Sequence, residues 1–235
     1  LVQAIHHANH RKAFGKRLIE QPLMRHVLVE LALELEAAKA MVFRIAESYD
    51  HADNPEEQAF SRLAVAIGKY WTNKRCVPFV GEAMECLGGA GYVEESILPR
   101  LYREAPLNGI WEGSGNVICL DVLRTMQKEP NSMKLLMARL SESLGQDPRY
   151  DAVFADVART MKQFTTPEES MWMARWLVEH LGLLLQAYQL LTVGDPVVAE
   201  QFCALRLSTQ TGSRAFGASK NIDSAVVGRI LSLCY

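Results

Sequence analysis

The chain has 235 residues, of which 49% are hydrophobic and 22% are charged, and its formal net charge is −2 at pH 7. This balance is typical of a soluble globular protein with ample core material. It excludes a strongly basic or strongly acidic protein, so the overall charge requires neither a nucleic acid nor an anionic membrane as partner.

Helices are predicted in chain order from apolar residues spaced three and four apart. A kink or an interruption at Pro78 and a loop over 105–115 are part of this prediction. The predicted ranges are 22–49, 56–87, 95–104, 116–128, 133–144, 149–164, 167–193, 195–212 and 218–232. Because no long segment alternates with period two, we expect almost no strand and an all-α bundle of antiparallel helices. The segment KEPNS at 128–132 predicts a boundary between a bundle over 1–130 and an extension over 131–235.

The cysteines and the most apolar segment narrow the class of protein further. Five scattered cysteines without a C-x-x-C pair predict reduced thiols in a cytoplasmic protein, with no disulfide framework and no metal site. Residues 176–194 are apolar but interrupted by polar residues, which predicts a buried amphipathic helix and no membrane span. The chain begins at Leu1 in what reads as the end of a helix, so we expect a preceding part to be missing.

Three short motifs carry candidate chemistry. Residues 11–22 read RKAFGKRLIEQP, in which four cations surround Phe14; this suits a pyrophosphate and a flat ring, or is simply a basic loop. Residues 85–92 read ECLGGAGY, which is either a helix C-cap or a backbone that a ligand can approach closely. Residues 109–116 read GIWEGSGN and place Glu112 on a glycine-rich turn before a helix, where an acid is also favoured by the helix dipole.

Taken together and in this order, the motifs resemble the C-terminal helical domain of the acyl-CoA dehydrogenases. The segment EESILPRLYREAPLNGIWEGSGNVICLDVLR is similar to the AidB-like branch of that family, which responds to DNA alkylation. The resemblance is strong over residues 1–128 and looser over 131–235. It implies a C-terminal helical bundle followed by the helical extension that is a feature of this branch.

The resemblance also implies a reaction and a cofactor. Glu112 matches the base that removes the α-proton of an acyl-CoA thioester while a hydride passes to the flavin of FAD. Trp111 is expected to desolvate Glu112 partly and so favour its role as a base. The cofactor-binding residues implied by the resemblance are Arg11, Phe14, Gly88, Gly89, Trp111, Ser114 and Asn116. Arg11 and Phe14 would touch an FAD held mainly by a neighbouring subunit, in a dimer or a tetramer.

Two departures limit this interpretation. Glu85 stands where family members often have glutamine, which leaves one hydrogen bond on the adenine side in doubt. The flavin and the acyl-CoA lie largely on other domains in this family, so the chain alone is expected to be inactive.

Two alternative functions remain open for this chain. AidB-like proteins bind double-stranded DNA through the extension, so one alternative is a DNA-protecting flavoprotein with little dehydrogenase turnover. The cations assigned to phosphate contacts in that case are Arg206, Arg214, Lys220 and Arg229. The region from 131 to 235 balances ten basic against ten acidic residues, which is a weak electrostatic basis for binding DNA. The other alternative is a helical bundle that serves only for oligomerisation.

Overall fold

The computed structural model describes residues 1–208, Phe216 and residues 223–234. Its helices and strands are, in chain order, α1 (Val2–His10), β1 (Lys12–Ala13), β2 (Lys16–Arg17), α2 (Pro22–Asp50), α3 (Pro55–Glu85), α4 (Gly89–Tyr92), α5 (Leu98–Asn108), α6 (Gly115–Lys128), α7 (Pro130–Ser141), α8 (Pro148–Lys162), α9 (Pro167–Val193), α10 (Pro196–Arg206) and α11 (Val227–Ser232). The prediction of an all-α protein is confirmed. No helix within the described ranges is long and apolar enough to cross a membrane.

Several predicted boundaries are wrong. The loop predicted over 105–115 begins only at Gly109, because α5 continues through Pro106 to Asn108. A proline removes one hydrogen bond of the ladder, and here that loss falls in the last turn, where it does not end the helix earlier. Likewise α3 runs unbroken through Pro78. The helix predicted over 195–212 ends at Arg206, and the last helix begins at Val227.

Helices on both sides of residue 130 share one hydrophobic core. α9 packs against α2, α3 and α6, and leucines along its buried face join the core that α2 and α3 form. At Gly182 the backbone of α9 comes so close to Trp71 that an added Cβ would lie 2.9 Å from the Trp71 Cβ. The Trp71 indole Nε1 donates a buried hydrogen bond of 2.8 Å to Gln186 Oε1. The extension is therefore packed into the bundle, and a domain boundary near residue 130 stays a prediction.

The pairing of α3 with α5 determines where the glycine-rich segments lie. α3 ends at Glu85, three residues before Gly88, and α5 then returns along α3. Gly81 lies beside the Tyr102 ring, and Asn73 hydrogen-bonds the carbonyl of Asn108. The chain is thus led back along α3, from its C-terminal end to the turn that carries Glu112.

Candidate functional site

Glu112 lies on a strained turn between α5 and α6. Its φ is 53°, in the left-handed region that costs a residue with a side chain about 1–2 kcal/mol, and Gly113 follows with a φ of 104°. The Glu112 side chain is exposed, and Trp111 is itself 55% exposed. The described residues therefore do not supply the desolvation of Glu112 that we expected from Trp111, because the indole points largely to solvent instead of covering the carboxylate.

Two side chains of α3 bind backbone carbonyls of the loop that carries Glu112. The Lys69 ammonium donates hydrogen bonds to the carbonyl oxygens of Trp111 and Gly113, at 2.5 and 2.8 Å. One turn further along the same face of α3, Asn73 Nδ2 donates to the Asn108 carbonyl at 2.6 Å. The sequence did not indicate either residue. A side chain that binds a backbone carbonyl some 40 positions away leaves no local motif.

The first turn of α6 follows the Glu112 turn directly. Ser114 is the N-cap residue, but its hydroxyl makes no capping hydrogen bond, so the first backbone N–H groups of α6 gain no side-chain cap there. Gly115 packs so closely on α3 that an added Cβ would lie 3.1 Å from the Lys74 Cε atom. Asn116 Oδ1 accepts a 2.8 Å hydrogen bond from Nε of Arg175 in α9. The structure thus brings Trp111, Glu112, Ser114 and Asn116 together in one short segment.

A cavity of about 550 Å³ opens behind this segment, between α3 and the helices of the extension. Lys74 and Arg175 line it, and the same two residues contact Gly115 and Asn116. Burial raises the pKa of Tyr70, which also lines the cavity, to about 12. The cavity was not predicted, because its walls come from four helices that are distant in sequence.

Arg11 and Phe14 lie on a short hairpin formed by β1 and β2. Phe14 has a φ of 52° and is 98% exposed, and Gly15 completes the turn with a φ of 80°. Gln21 Nε2 supports the hairpin by donating to the Ala13 carbonyl at 3.2 Å. A phenylalanine that is strained and almost fully exposed has no packing role within the described chain.

The glycine segment after α3 is shaped by its backbone. Gly88 has a φ of 59° and a ψ of −141°, a combination that essentially only glycine adopts. Open space surrounds the positions where Gly88 and Gly89 would carry a Cβ. At Gly91 an added Cβ would lie 2.2 Å from the Met84 carbonyl oxygen, so a side chain cannot fit. The segment is therefore both a helix end and an exposed backbone that a ligand can approach.

The predicted site residues fall into separate groups on this chain. Asn73, beside the Glu112 turn, is twelve residues before Glu85, a distance of roughly 18 Å along a helix. Gly88 and Gly89 lie three and four residues after Glu85, so they are far from Glu112. One chain does not bring its glycine segment and its Glu112 turn into a single pocket.

The cations predicted to bind DNA have different environments. The Arg206 side chain is 12% exposed and pairs with Glu34, and burial lowers the pKa of its guanidinium. The Glu34 carboxylate also accepts hydrogen bonds from Nε and Nη2 of Arg75, at 3.0 and 3.1 Å. Arg206 is therefore an internal ion-pair residue in the described part of the chain, and its contact with DNA phosphate stays a prediction. Arg229 is exposed and pairs with Asp195 at 2.7 Å, and Arg214 and Lys220 lie outside the described residues.

Comparison with known proteins agrees with this architecture. The model of the acyl-CoA dehydrogenase C-terminal domain matches residues 1–127. AidB of Escherichia coli (strain K12) is 45% identical over 211 residues, which cover 90% of this chain and 38% of AidB. Acyl-CoA dehydrogenase family member 11 of Caenorhabditis elegans is 32% identical over 145 residues, covering 60% of this chain and 24% of the relative.

Two solved structures share the fold. Caenorhabditis elegans ACDH-11 in complex with C11-CoA matches with a TM-score of 0.76 at 24% identity, over 86% of this chain and 38% of that one. An acyl-CoA dehydrogenase complexed with FAD from Bacillus anthracis matches with a TM-score of 0.66 at 19% identity, over 86% and 43%. The chain spans less than half the length of each of these relatives. Because the family model covers more than half of the chain, the chain belongs to the acyl-CoA dehydrogenase family, as a C-terminal domain with an AidB-like sequence.

Proposed function

We propose that this chain is the proton-abstracting part of an FAD-dependent oxidoreductase that dehydrogenates an acyl-CoA thioester. The observation that carries the proposal is the Glu112 turn. Glu112 lies just before α6 with its backbone in the left-handed conformation, and glycines are close to it in the sequence. Lys69 holds this turn through hydrogen bonds to two backbone carbonyls. A strained backbone conformation persists only where the surrounding contacts maintain it, and such conformations are concentrated at functional sites.

Glu112 would act as the general base. Its carboxylate accepts the proton from the carbon next to the thioester carbonyl, and it needs close approach to that carbon. Gly113 and Gly115 have no side chains that would block the approach. Because Glu112 is exposed in this chain, water must be excluded by surfaces other than those described here. The C11-CoA complex of ACDH-11 supports an acyl-CoA as the substrate class.

The residues present are compatible with FAD. Ser114 offers a hydroxyl that makes no capping bond, and Asn116 keeps its amide Nδ2 available because Oδ1 faces Arg175. When bound, FAD supplies the acceptor for the hydride that leaves the β-carbon. At the far end of α3, the exposed Phe14 and the open backbone at Gly88 would contact the adenosine half of the cofactor.

The assembly that we propose follows from this separation. Because the glycine segment follows the C-terminal end of α3 and the Glu112 turn lies beside the middle of that helix, the two groups would serve different FAD molecules. A homo-oligomer, either a dimer or a tetramer, would then complete each site with Arg11 and Phe14 of a neighbouring subunit. The nearly full exposure of Phe14 supports this arrangement.

The experiment is a visible absorbance spectrum of the purified full-length protein, followed by anaerobic addition of acyl-CoA thioesters of several chain lengths. We expect the absorbance of oxidised flavin and its bleaching by at least one thioester. The chain of residues 1–235 alone should retain no flavin and give no turnover. The proposed reaction would be contradicted if the full-length protein binds flavin but none of the thioesters bleaches the flavin absorbance.

A further inference from the structure

The left-handed conformation of Glu112 needs a structural cause. A residue with a side chain adopts a φ of 53° only where neighbouring contacts fix the peptide groups on both sides. Lys69 binds the Trp111 carbonyl, which belongs to the peptide group before Glu112, and the Gly113 carbonyl, which belongs to the peptide group after Gly113. A single ammonium thus spans Glu112 at its backbone.

Lys69 is suited to this task by its surroundings. The side chain is half-buried on α3, and its two hydrogen bonds go to backbone carbonyls; within the described ranges no carboxylate pairs with it. An ammonium group carries three donors and can satisfy two carbonyls at once. Since α3 is a 31-residue helix packed on both α2 and α6, it provides a rigid base for the contact.

Asn73 holds the beginning of the same loop. Residues 69 and 73 are four apart, so they lie on one face of α3, one above the other. The Asn73 amide fixes the Asn108 carbonyl at the end of α5, and Lys69 fixes the turn at Glu112. The loop is therefore held at both ends by one helix, and Lys69 holds the end that carries the carboxylate.

We infer that Lys69 is a positioning residue, which sets the direction of the Glu112 carboxylate by holding the carbonyls of the residues before and after it, Trp111 and Gly113. The inference rests on the proposed role of Glu112 as the base. Loss of Lys69 should then reduce kcat about 10- to 100-fold, because a displaced base misses the reacting carbon. KM should stay within about twofold, because the hydrogen bonds of Lys69 go to backbone carbonyls of the turn that carries the base.

The kinetic test uses the full-length protein with three substitutions. Lys69→Met removes the donors, Lys69→Arg keeps a cation with several donors, and Lys39→Met is the matched control. Lys39 lies on α2, where it pairs with Glu36 at 2.7 Å and does not touch the loop. We expect Lys69→Met to lower kcat, Lys69→Arg to recover most of it, and Lys39→Met to leave it unchanged. A Lys69→Met variant with the kcat of the wild type would overturn the inference, as would a change confined to KM.

A second measurement does not depend on activity. Amide hydrogen exchange in peptides covering residues 109–115 should be faster in Lys69→Met than in the wild type, and unchanged in Lys39→Met. Equal exchange rates in Lys69→Met and the wild type would overturn the inference, whatever the kinetics. If Glu112→Gln keeps full activity while exchange still rises in Lys69→Met, the proposed function fails and the positioning of the turn by Lys69 stands. If Lys69→Met does not fold, Lys69→Gln gives the comparison instead, because its shorter side chain is not expected to bind both carbonyls at once.

Discussion

Arg175 donates a hydrogen bond of 2.8 Å from its guanidinium Nε to the side-chain oxygen of Asn116. The two residues are 59 positions apart, and they connect α9 of the extension to the first turn of α6. The extension therefore contacts the segment that carries Glu112 and is not an appendage remote from it. The contact also orients the Asn116 amide, with Oδ1 toward Arg175.

The Arg175 contact predicts an effect on cofactor affinity. In the full-length protein, Arg175→Met should leave the Asn116 amide free to rotate and weaken the binding of FAD about two- to fivefold, since an exposed hydrogen bond contributes about 1 kcal/mol or less. Flavin fluorescence during titration of the apoprotein measures this. Arg159→Met is the control, because Arg159 is exposed on α8 and pairs with Asp156. An unchanged Kd in Arg175→Met would show that the orientation of Asn116 does not matter for the cofactor.

The backbone of the Glu112 turn gives a prediction with an internal control. Gly113→Ala forces a side chain onto a φ of 104° and should cost about 1–3 kcal/mol of stability or displace the turn. Gly109→Ala should be nearly neutral, since its φ is −85° and an added Cβ would lie an ordinary 3.5 Å from the Pro106 carbonyl oxygen. Thermal unfolding and kcat should be compared for both variants. Equal changes in thermal stability and kcat for the two substitutions would contradict the claim that the backbone at Gly113 is strained by a side chain.

The buried ion pair of Glu34 predicts a large loss of stability. Glu34 is 5% exposed and serves two guanidinium groups, those of Arg75 and Arg206. Glu34→Gln removes the carboxylate that both guanidinium groups bind and should lower the free energy of unfolding by about 3–5 kcal/mol. Urea denaturation measures the loss, with Glu36→Gln as the control, because Glu36 forms only an i,i+3 pair with Lys39. A Glu34→Gln variant as stable as the control would mean that Arg206 is held by other contacts.

The pairing of Arg62 with Asp121 predicts how stability depends on pH. Arg62 donates to both carboxylate oxygens, at 2.9 and 3.1 Å, and these hydrogen bonds hold the pKa of Asp121 below its ordinary value. Because the pKa of Asp121 is lower in the folded state than in the unfolded state, its ionised form stabilises the fold at pH values above the ordinary pKa of an aspartate. This stabilisation is lost as the pH falls below about 4. Asp121→Asn should be less stable at neutral pH and should lose less stability on acidification. Urea midpoints between pH 3 and pH 7 test this, with the exposed Asp50→Asn as control; parallel curves for Asp121→Asn and the wild type would contradict it.

The fold was largely predictable because its signals are local. α9 begins and ends as predicted, since Thr166 and Glu169 form a capping box around Pro167. The hairpin of β1 and β2 was missed because two-residue strands are too short to show period-two alternation. The burial of Arg206 was missed because its partner, Glu34, is 172 positions away.

Only the part of the candidate site that lies within the motif at residues 109–116 could be predicted from the sequence. Glu112 and its glycines stand together in the sequence, whereas Lys69, Asn73 and Arg175 reach the same turn through packing. Composition could not reveal those contacts, because they bind backbone carbonyls or a neutral amide and so form no charge pattern.

The central claim is that Glu112 is the base, and the anaerobic half-reaction of Glu112→Gln in the full-length protein tests it most directly. Glutamine keeps the shape of the side chain but cannot accept the proton, so flavin should remain bound while its reduction by acyl-CoA slows by about two to four orders of magnitude. Glu95→Gln, at another exposed acid of the same chain, should reduce flavin at the rate of the wild type. Reduction of the flavin in Glu112→Gln at the wild-type rate would contradict the account and place the base elsewhere.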